Sequence, residues 1–343
     1  MSNQYVEMGL RAPVNLTWEV TYACNLACKH CLSDSGQKRQ NELTTRQCLS
    51  VIDAMSANHV FQFSIGGGEP FARPDFLDLM DYAHEKGILT CISTNGTLIT
   101  DEVASRLDHK LVYIQVSLEG ANPSSNDSIR GEGSFSRAMN AIECLRKRNI
   151  EVSVNTVLTR ISLPELDGLA ELARSVGAKF RVSRFRPSGR GKQNWSSLNV
   201  SNEQMLGFSD WLSAHRNVST GDSFFSVSHE DRRNLGLNMC GACKLTCCIS
   251  PLGYVYPCAF LQEEEFLAGK LPEQTFASIW NGSPVFHSFR NLEIKSCESC
   301  TRFDFCHGGC PAVAYHTQKR LGHPDPGCLA NCVSEKRPRV SNA

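Results

Sequence analysis

The chain has 343 residues, 41% hydrophobic and 20% charged, and its 35 basic side chains are matched by 35 acidic ones. A zero net charge gives no global basic field for nucleic acid, and no run approaches the ~20 apolar residues that a membrane span needs. Met1–Met8 lacks the basic-then-apolar pattern of a signal peptide, so a cytoplasmic chain of about two domains is expected, with neither nucleic acid nor membrane as partner.

Val14–Val20 alternates with β-branched and aromatic residues and reads as a first strand. It runs into Thr21-Tyr22-Ala23-Cys24-Asn25-Leu26-Ala27-Cys28-Lys29-His30-Cys31, a Cys-x3-Cys-x2-Cys loop. A structural zinc site or a closed four-iron cluster wants four protein ligands. Three crowded thiols point instead to a cubane with one iron left open; a metal knuckle or three unrelated buried thiols is the plain alternative. Thr44–Gln47 forms a capping box for a helix carrying Leu49, Ile52 and Met55. Val60–Ile65 is a second strand ending in Gly66-Gly67-Gly68-Glu69-Pro70, and Pro74 precedes a helix through His84. Ile88–Ser93 is a third strand ending at Thr94-Asn95-Gly96, with a short helix from Thr100. Leu111–Leu118 is the fourth strand, ending at Glu119, and Ser134 is expected to cap a helix to about Arg148. Glu151–Leu158, the helix Pro164–Val176 and the strand Lys179–Phe185 complete the series. Six strand–helix units of ~25–35 residues predict an α/β fold, a partial (β/α)6 TIM-like barrel with its chemistry at the C-terminal ends of the strands. Trp211 and Leu212 are expected to pack on that barrel.

The chain has 17 cysteines. Without a signal peptide, metal or cluster ligation explains that number better than disulfides. Cys48, Cys91 and Cys144 lie in periodic segments and read as core thiols, while eleven fall between Cys240 and Cys332. That segregation predicts a barrel over 1–215 and a cysteine-rich module over 216–343. In the module, Cys240, Cys243, Cys247 and Cys248 are followed by Gly253-x4-Cys258, by Cys297-x2-Cys300-x5-Cys306-x3-Cys310, and by Cys328 and Cys332. A zinc ribbon is the simpler reading of such pairs.

The three-thiol loop after the first strand resembles the radical S-adenosylmethionine (SAM) enzymes. In that family the open iron chelates SAM, which makes Cys24, Cys28 and Cys31 the catalytic and metal-ligating thiols. The resemblance implies SAM contacts from Gly67, Gly68, Glu69 and Pro70, from Ser93 and Asn95, from Ser117 and Arg130, and from Asn155. His30 stands where the family carries an aromatic residue, so packing against the cluster is expected. Phe185–Gly191 could close the cofactor site, contact a peptide carboxylate, or be a solvated basic loop. The C-terminal cysteines resemble the SPASM extension of radical SAM peptide-modifying enzymes, which holds two auxiliary [4Fe-4S] clusters, for three in all. By motif position, Cys240, Cys247, Cys258 and Cys310 would hold the nearer cluster and Cys297, Cys300, Cys306 and Cys328 the farther one, leaving Cys243, Cys248 and Cys332 surplus.

Thr17–Cys24, Arg186–Gly191, Thr220–Phe225, Gly236–Ala242 and Phe266–Gly269 together resemble the mycofactocin maturases. That resemblance implies a small ribosomally made precursor peptide ending in Val-Tyr, hydrogen abstraction from the tyrosine β-carbon with loss of CO2, and then a Val–Tyr carbon–carbon crosslink driven by a second SAM. An auxiliary cluster would accept the electron of the oxidative step, and a flavodoxin or ferredoxin type of external donor would feed the enzyme. With 23 residues ahead of Cys24, a separate leader-peptide-binding chaperone is expected. The alternatives are another radical SAM/SPASM maturase (thioether-forming, pyrroloquinoline-quinone-type or sulfatase-activating) and a non-enzymatic metal-binding scaffold.

Overall fold

A computed structural model describes residues 10–107, 112–222, 240–301 and 303–329. Its first seven strands are β1 (Asn15–Glu19), β2 (Gln62–Gly66), β3 (Leu89–Thr94), β4 (Val112–Ser117), β5 (Glu151–Leu158), β6 (Lys179–Arg184) and β7 (Val218–Thr220). Between them run α1 (Thr45–Ala57), α2 (Phe76–Glu85), α3 (Asp101–Arg106), α4 (Pro123–Arg130), α5 (Ser134–Lys147), α6 (Leu166–Ser175), the short α7 (Gly189–Gln193) and α8 (Trp195–Leu198), and α9 (Asn202–Ala214). The module that follows contributes β8 (Thr246–Ile249), β9 (Tyr254–Tyr256), β10 (Gly269–Lys270), α10 (Phe276–Gly282), α11 (Pro284–Arg290), α12 (Phe303–Cys306) and α13 (Pro311–Gln318).

The strands β1 to β7 pair in parallel in chain order, as strand–helix alternation requires. The expected six-unit barrel is present, and its sheet is open. β7 extends it past β6. On the other side β8 pairs parallel to β1, followed by antiparallel β9 and β10, for ten strands in order β10-β9-β8-β1-β2-β3-β4-β5-β6-β7. Side chains alternate across each strand. Leu16, Trp18, Phe63, Ile65, Ile114, Val116, Val152, Val154, Phe180 and Val182 are buried beneath the helices, against Ile52, Met55, Leu79, Ile142 and Leu169. The opposite face carries Ser64, Tyr113, Gln115, Ser117, Asn155, Arg181 and Ser183, all partly exposed. A sheet covered by helices on one face and polar on the other leaves a wetted concave interior.

Local rules explain most of the elements. Thr44 and Gln47 form the expected capping box of α1. Ser134 does not cap α5: Gly133 holds that place at φ 70°, and the Asp127 carboxylate accepts from Gly133 N, Phe135 N and the Ser134 hydroxyl. The helix α4 is an addition to the sequence reading; Asn122 caps it and Pro123 opens it. Trp211 and Leu212 do lie on the barrel, with Trp211 Nε1 donating to Asp167 of α6 at 2.7 Å. Among the described residues no helix is long and apolar enough to cross a membrane.

Candidate functional site

The cysteine loop leaves β1 at the C-terminal edge of the sheet and is held from several sides. Cys24 N donates to Gly36 O at 2.7 Å, Lys29 N to Ile129 O at 3.0 Å and Gly191 N to Cys31 O at 3.0 Å. Arg190 donates to Cys28 O at 3.1 Å and to Ser35 O at 2.7 Å. Arg190 and Gly191 of the Phe185–Gly191 segment thus pack on the cysteine loop. Gly189 makes that approach possible, because a Cβ there would lie 2.4 Å from Leu32 O.

The loop after β2 packs on the same segment. Gly68 N donates to Thr21 O at 2.7 Å and Glu69 N to Ala23 O at 2.8 Å. A Cβ on Gly68 would fall 2.1 Å from Ala23 O, so only glycine fits. Glu69 is fully buried and accepts from Thr94 Oγ1 at 2.7 Å and Asn95 N at 2.8 Å. Burial nonetheless raises its pKa to about 7, with those hydrogen bonds pulling the other way. Pro70 opens a one-turn helix behind it. Asn95 Nδ2 lies 3.9 Å from Cys24 Sγ and 3.0 Å from Asn25 Oδ1.

A buried ionic group faces the thiols from the β4 side. Arg130 Nη2 meets Glu119 Oε1 at 2.7 Å, and Arg130 Nη1 stands 3.9 Å from Cys28 Sγ. Glu119 also accepts from Val157 N at 2.9 Å and lies 3.2 Å from His30 Nε2. Burial alone would raise Glu119, but His30 and Arg130 outweigh it and hold the carboxyl below its ordinary range. Glu119 is the site residue that sequence reasoning left without a role. Its signal was a carboxylate two residues past Ser117 at a strand end that points into a thiol site. Ser117 and Asn155 are register partners on the concave face, and Asn155 Oδ1 accepts from Ser183 Oγ at 2.8 Å. Ser93 is exposed on the same edge. His30 is buried against Glu119 and lies 3.5 Å from Arg130 Nη2.

The thiol chemistry fits a metal cluster. All three loop cysteines are free. Burial pushes the Cys24 thiol up to about 11 and raises Cys28, with neighbouring thiols and Glu69 or Glu119 adding to the rise. Bound iron would supply the positive charge that such buried thiolates lack. Among the described residues no group of three or more His, Cys, Asp or Glu side chains is already arranged around a metal-sized site.

In the C-terminal module the described cysteines form two neighbourhoods. Cys297, Cys300, Cys306 and Cys328 face one another. Cys240, Cys258 and Cys310 form the second, and Cys243, at φ 60°, has Cys247, Cys258 and Cys240 as its thiol neighbours. Cys247 and Cys248 sit on β8, pairing with Leu16 and Thr17, so their side chains leave on opposite faces. Cys332, Ser223–Phe225 and Gly236–Met239 lie outside the described residues. Arg184 joins β6 to the module through a two-pronged pair with Asp325, at 2.6 and 2.8 Å. Cys48 is buried in the core as expected, Cys91 is buried on the concave side, where Gln115 donates to its Sγ at 3.2 Å, and Cys144 is partly exposed.

Residues 18–173 match the radical SAM superfamily model, and residues 240–302 match that of the SPASM iron–sulfur cluster-binding domain. The chain is 45% identical over 330 residues to the mycofactocin maturase MftC of Mycobacterium tuberculosis, covering 94% of this chain and 84% of that protein. Among solved structures it is similar to Streptococcus suis SuiB bound to precursor peptide SuiA, with a TM-score of 0.78 at 20% identity over 94% of this chain and 77% of that one. It is also similar to anSMEcpe with bound AdoMet and the Cp18Cys peptide, with a TM-score of 0.74 at 20% identity over 94% and 96%.

Proposed function

This chain belongs to the radical SAM family, in the group of the mycofactocin maturases, and on that premise we propose that it matures a ribosomally made precursor peptide ending in Val-Tyr. The observation that carries the substrate is the 45% identity to a mycofactocin maturase over nearly the whole chain. The proposed reaction is oxidative decarboxylation of the C-terminal tyrosine, followed by a Val–Tyr carbon–carbon bond. In the first step the β-carbon gives up one hydrogen atom, the carboxyl leaves as CO2, a double bond forms, and one electron departs.

Cys24, Cys28 and Cys31 would hold a four-iron cluster with one open iron, which when bound supplies reductive cleavage of SAM and hence hydrogen-atom abstraction. The remaining roles belong to the chain. Gly67–Pro70 lets backbone approach SAM closely, with Ser93 and Asn95 beside it. Arg130, aimed by Glu119, brings a cation to the thiol site, and its planar fork suits the carboxylate of SAM. Ser117 and Asn155 offer polar groups on the concave face. Two further clusters are proposed in the module, on Cys297, Cys300, Cys306 and Cys328 and on Cys240, Cys258 and Cys310. Cys243 and Cys247 compete for the fourth place of the latter, and the module begins near residue 216. A leader-binding chaperone and an external electron donor of flavodoxin or ferredoxin type complete the proposal.

The test is anaerobic reconstitution with SAM, a reductant and a precursor peptide ending in Val-Tyr. Formation of 5′-deoxyadenosine with loss of the mass of CO2 is expected. 5′-Deoxyadenosine without that loss would remove the decarboxylation and keep the radical class.

A further inference from the structure

Arg181 stands on the concave face of β6, three residues before the strand's end at Arg184. At ~3.3 Å per residue that is ~10 Å below the edge where Arg190 and Gly191 grip the cysteine loop. It thus lines the barrel interior below the cysteine loop. Its Nε is buried with no hydrogen-bond partner, and no carboxylate among the described residues pairs with it. Its charged and titratable neighbours are Cys91, Tyr113 and Arg186, which offer no anion at neutral pH. By contrast Arg130, Arg184 and Arg186 are paired with Glu119, Asp325 and Asp222.

The groups around it are neutral. Gln115 donates to Cys91 Sγ at 3.2 Å, and Asn155, its register partner, is engaged with Ser183. Lys179 and Glu151 neutralise each other at the far end of the strands. A Cβ on Gly221 would lie 2.1 Å from Arg181 Nη2, so that glycine lets the guanidinium lie along the wall. An arginine lining a polar interior, with no carboxylate beside it among the described residues, can take its anion from a ligand.

We infer that Arg181 binds the free C-terminal carboxylate of the precursor peptide through its planar fork, fixing the last residue of the substrate inside the barrel. This rests on the peptide reading above and deepens it, since it explains how a chain end would be told from an internal residue. The contact is lost once that carboxyl leaves as CO2.

The experiment uses cluster-loaded full-length protein with the leader-binding chaperone present, and a synthetic precursor peptide ending in Val-Tyr, made as the free acid and as the C-terminal carboxamide. Dissociation constants are measured with both peptides for wild type, Arg181→Met and Arg181→Lys. A charge-assisted contact of this kind is worth about 10- to 100-fold in affinity. Wild type should prefer the acid by that factor, Arg181→Met should lose the preference by weakening the acid alone, and Arg181→Lys should keep part of it. Equal binding of acid and amide by wild type overturns the inference and leaves the peptide reading intact. So does an unchanged preference in Arg181→Met. Failure of wild type to bind either peptide removes both. Should Arg181→Met fail to fold, wild type and Arg181→Lys still decide.

Discussion

Asp325→Asn tests how the cysteine-rich module is fastened to the barrel. The Asp325 carboxylate accepts from Arg184 Nη1 at 2.6 Å and Nη2 at 2.8 Å, from Cys310 N at 3.1 Å and from Gly327 N at 2.9 Å. Its backbone N–H reaches Gly308 O at 2.8 Å and its carbonyl takes Cys328 N at 3.1 Å. One residue thus places a cysteine of each neighbourhood and neutralises a buried arginine. The side chains of the pair are 3% and 0% exposed. Asparagine keeps the shape, but it turns one acceptor oxygen into a donor and removes the negative charge that pairs with the buried Arg184 cation. Breaking such a pair from one side costs about 3–5 kcal/mol, a large share of the ~5–15 kcal/mol by which a domain is stable. Arg184→Met with Asp325→Asn removes both charges, so the double variant should lose clearly less than the sum of the singles, with a coupling of about 2 kcal/mol or more. The assay is anaerobic urea denaturation of the four proteins side by side, with iron content measured on each. A loss under about 1 kcal/mol for Asp325→Asn, or strict additivity, would refute the reasoning.

The fourth thiol of the Cys240 neighbourhood is open to a direct contest. Iron content should fall by about four per chain in whichever of Cys243→Ala and Cys247→Ala removes a ligand; an effect confined to Cys247→Ala supports the motif-based assignment, and one confined to Cys243→Ala overturns it. Gly68→Ala should abolish 5′-deoxyadenosine formation, because its Cβ meets the Ala23 carbonyl at 2.1 Å; retained turnover would show that the two loops can separate freely. Asp127→Asn should cost about 1 kcal/mol, the usual worth of a helix cap. Burial would raise Asp127, yet its hydrogen bonds to Asn126, Phe135, Ser134 and Gly133 lower it. Its contribution is therefore present above the unfolded pKa and lost as pH falls below about 4 through the folded value. Stability against pH should flatten in that acid limb for Asp127→Asn, and an unchanged limb counts against the assignment.

The barrel was legible because its signals are local. β-Branched alternation marks β1 to β6, and glycine or polar residues mark the edge where the loops leave. The loop Cys24–Cys31 and its neighbour Gly67–Pro70 could be read one unit apart for the same reason. What escaped the reading depends on contacts far apart in sequence. Pro123–Arg130 is too polar to announce a helix by periodicity, and only Asn122-Pro123 hinted at it. The Glu119–Arg130 and Arg184–Asp325 pairs join residues 11 and 141 positions apart. That Cys247 and Cys248 are strand residues, pairing with Leu16 and Thr17 of β1, could not be read from their spacing, because the partner strand lies about 230 positions away. Arg181 is invisible in sequence because its having no carboxylate partner among the described residues is a property of the assembled interior.

Replacing Cys24, Cys28 and Cys31 together by Ala is the most direct test of the central claim that this loop, and not the C-terminal cysteines, carries the radical chemistry. The variant, reconstituted anaerobically and incubated with SAM and reductant, should form no 5′-deoxyadenosine while keeping roughly eight irons, four for each auxiliary cluster. SAM cleavage that persists in that variant would contradict the account.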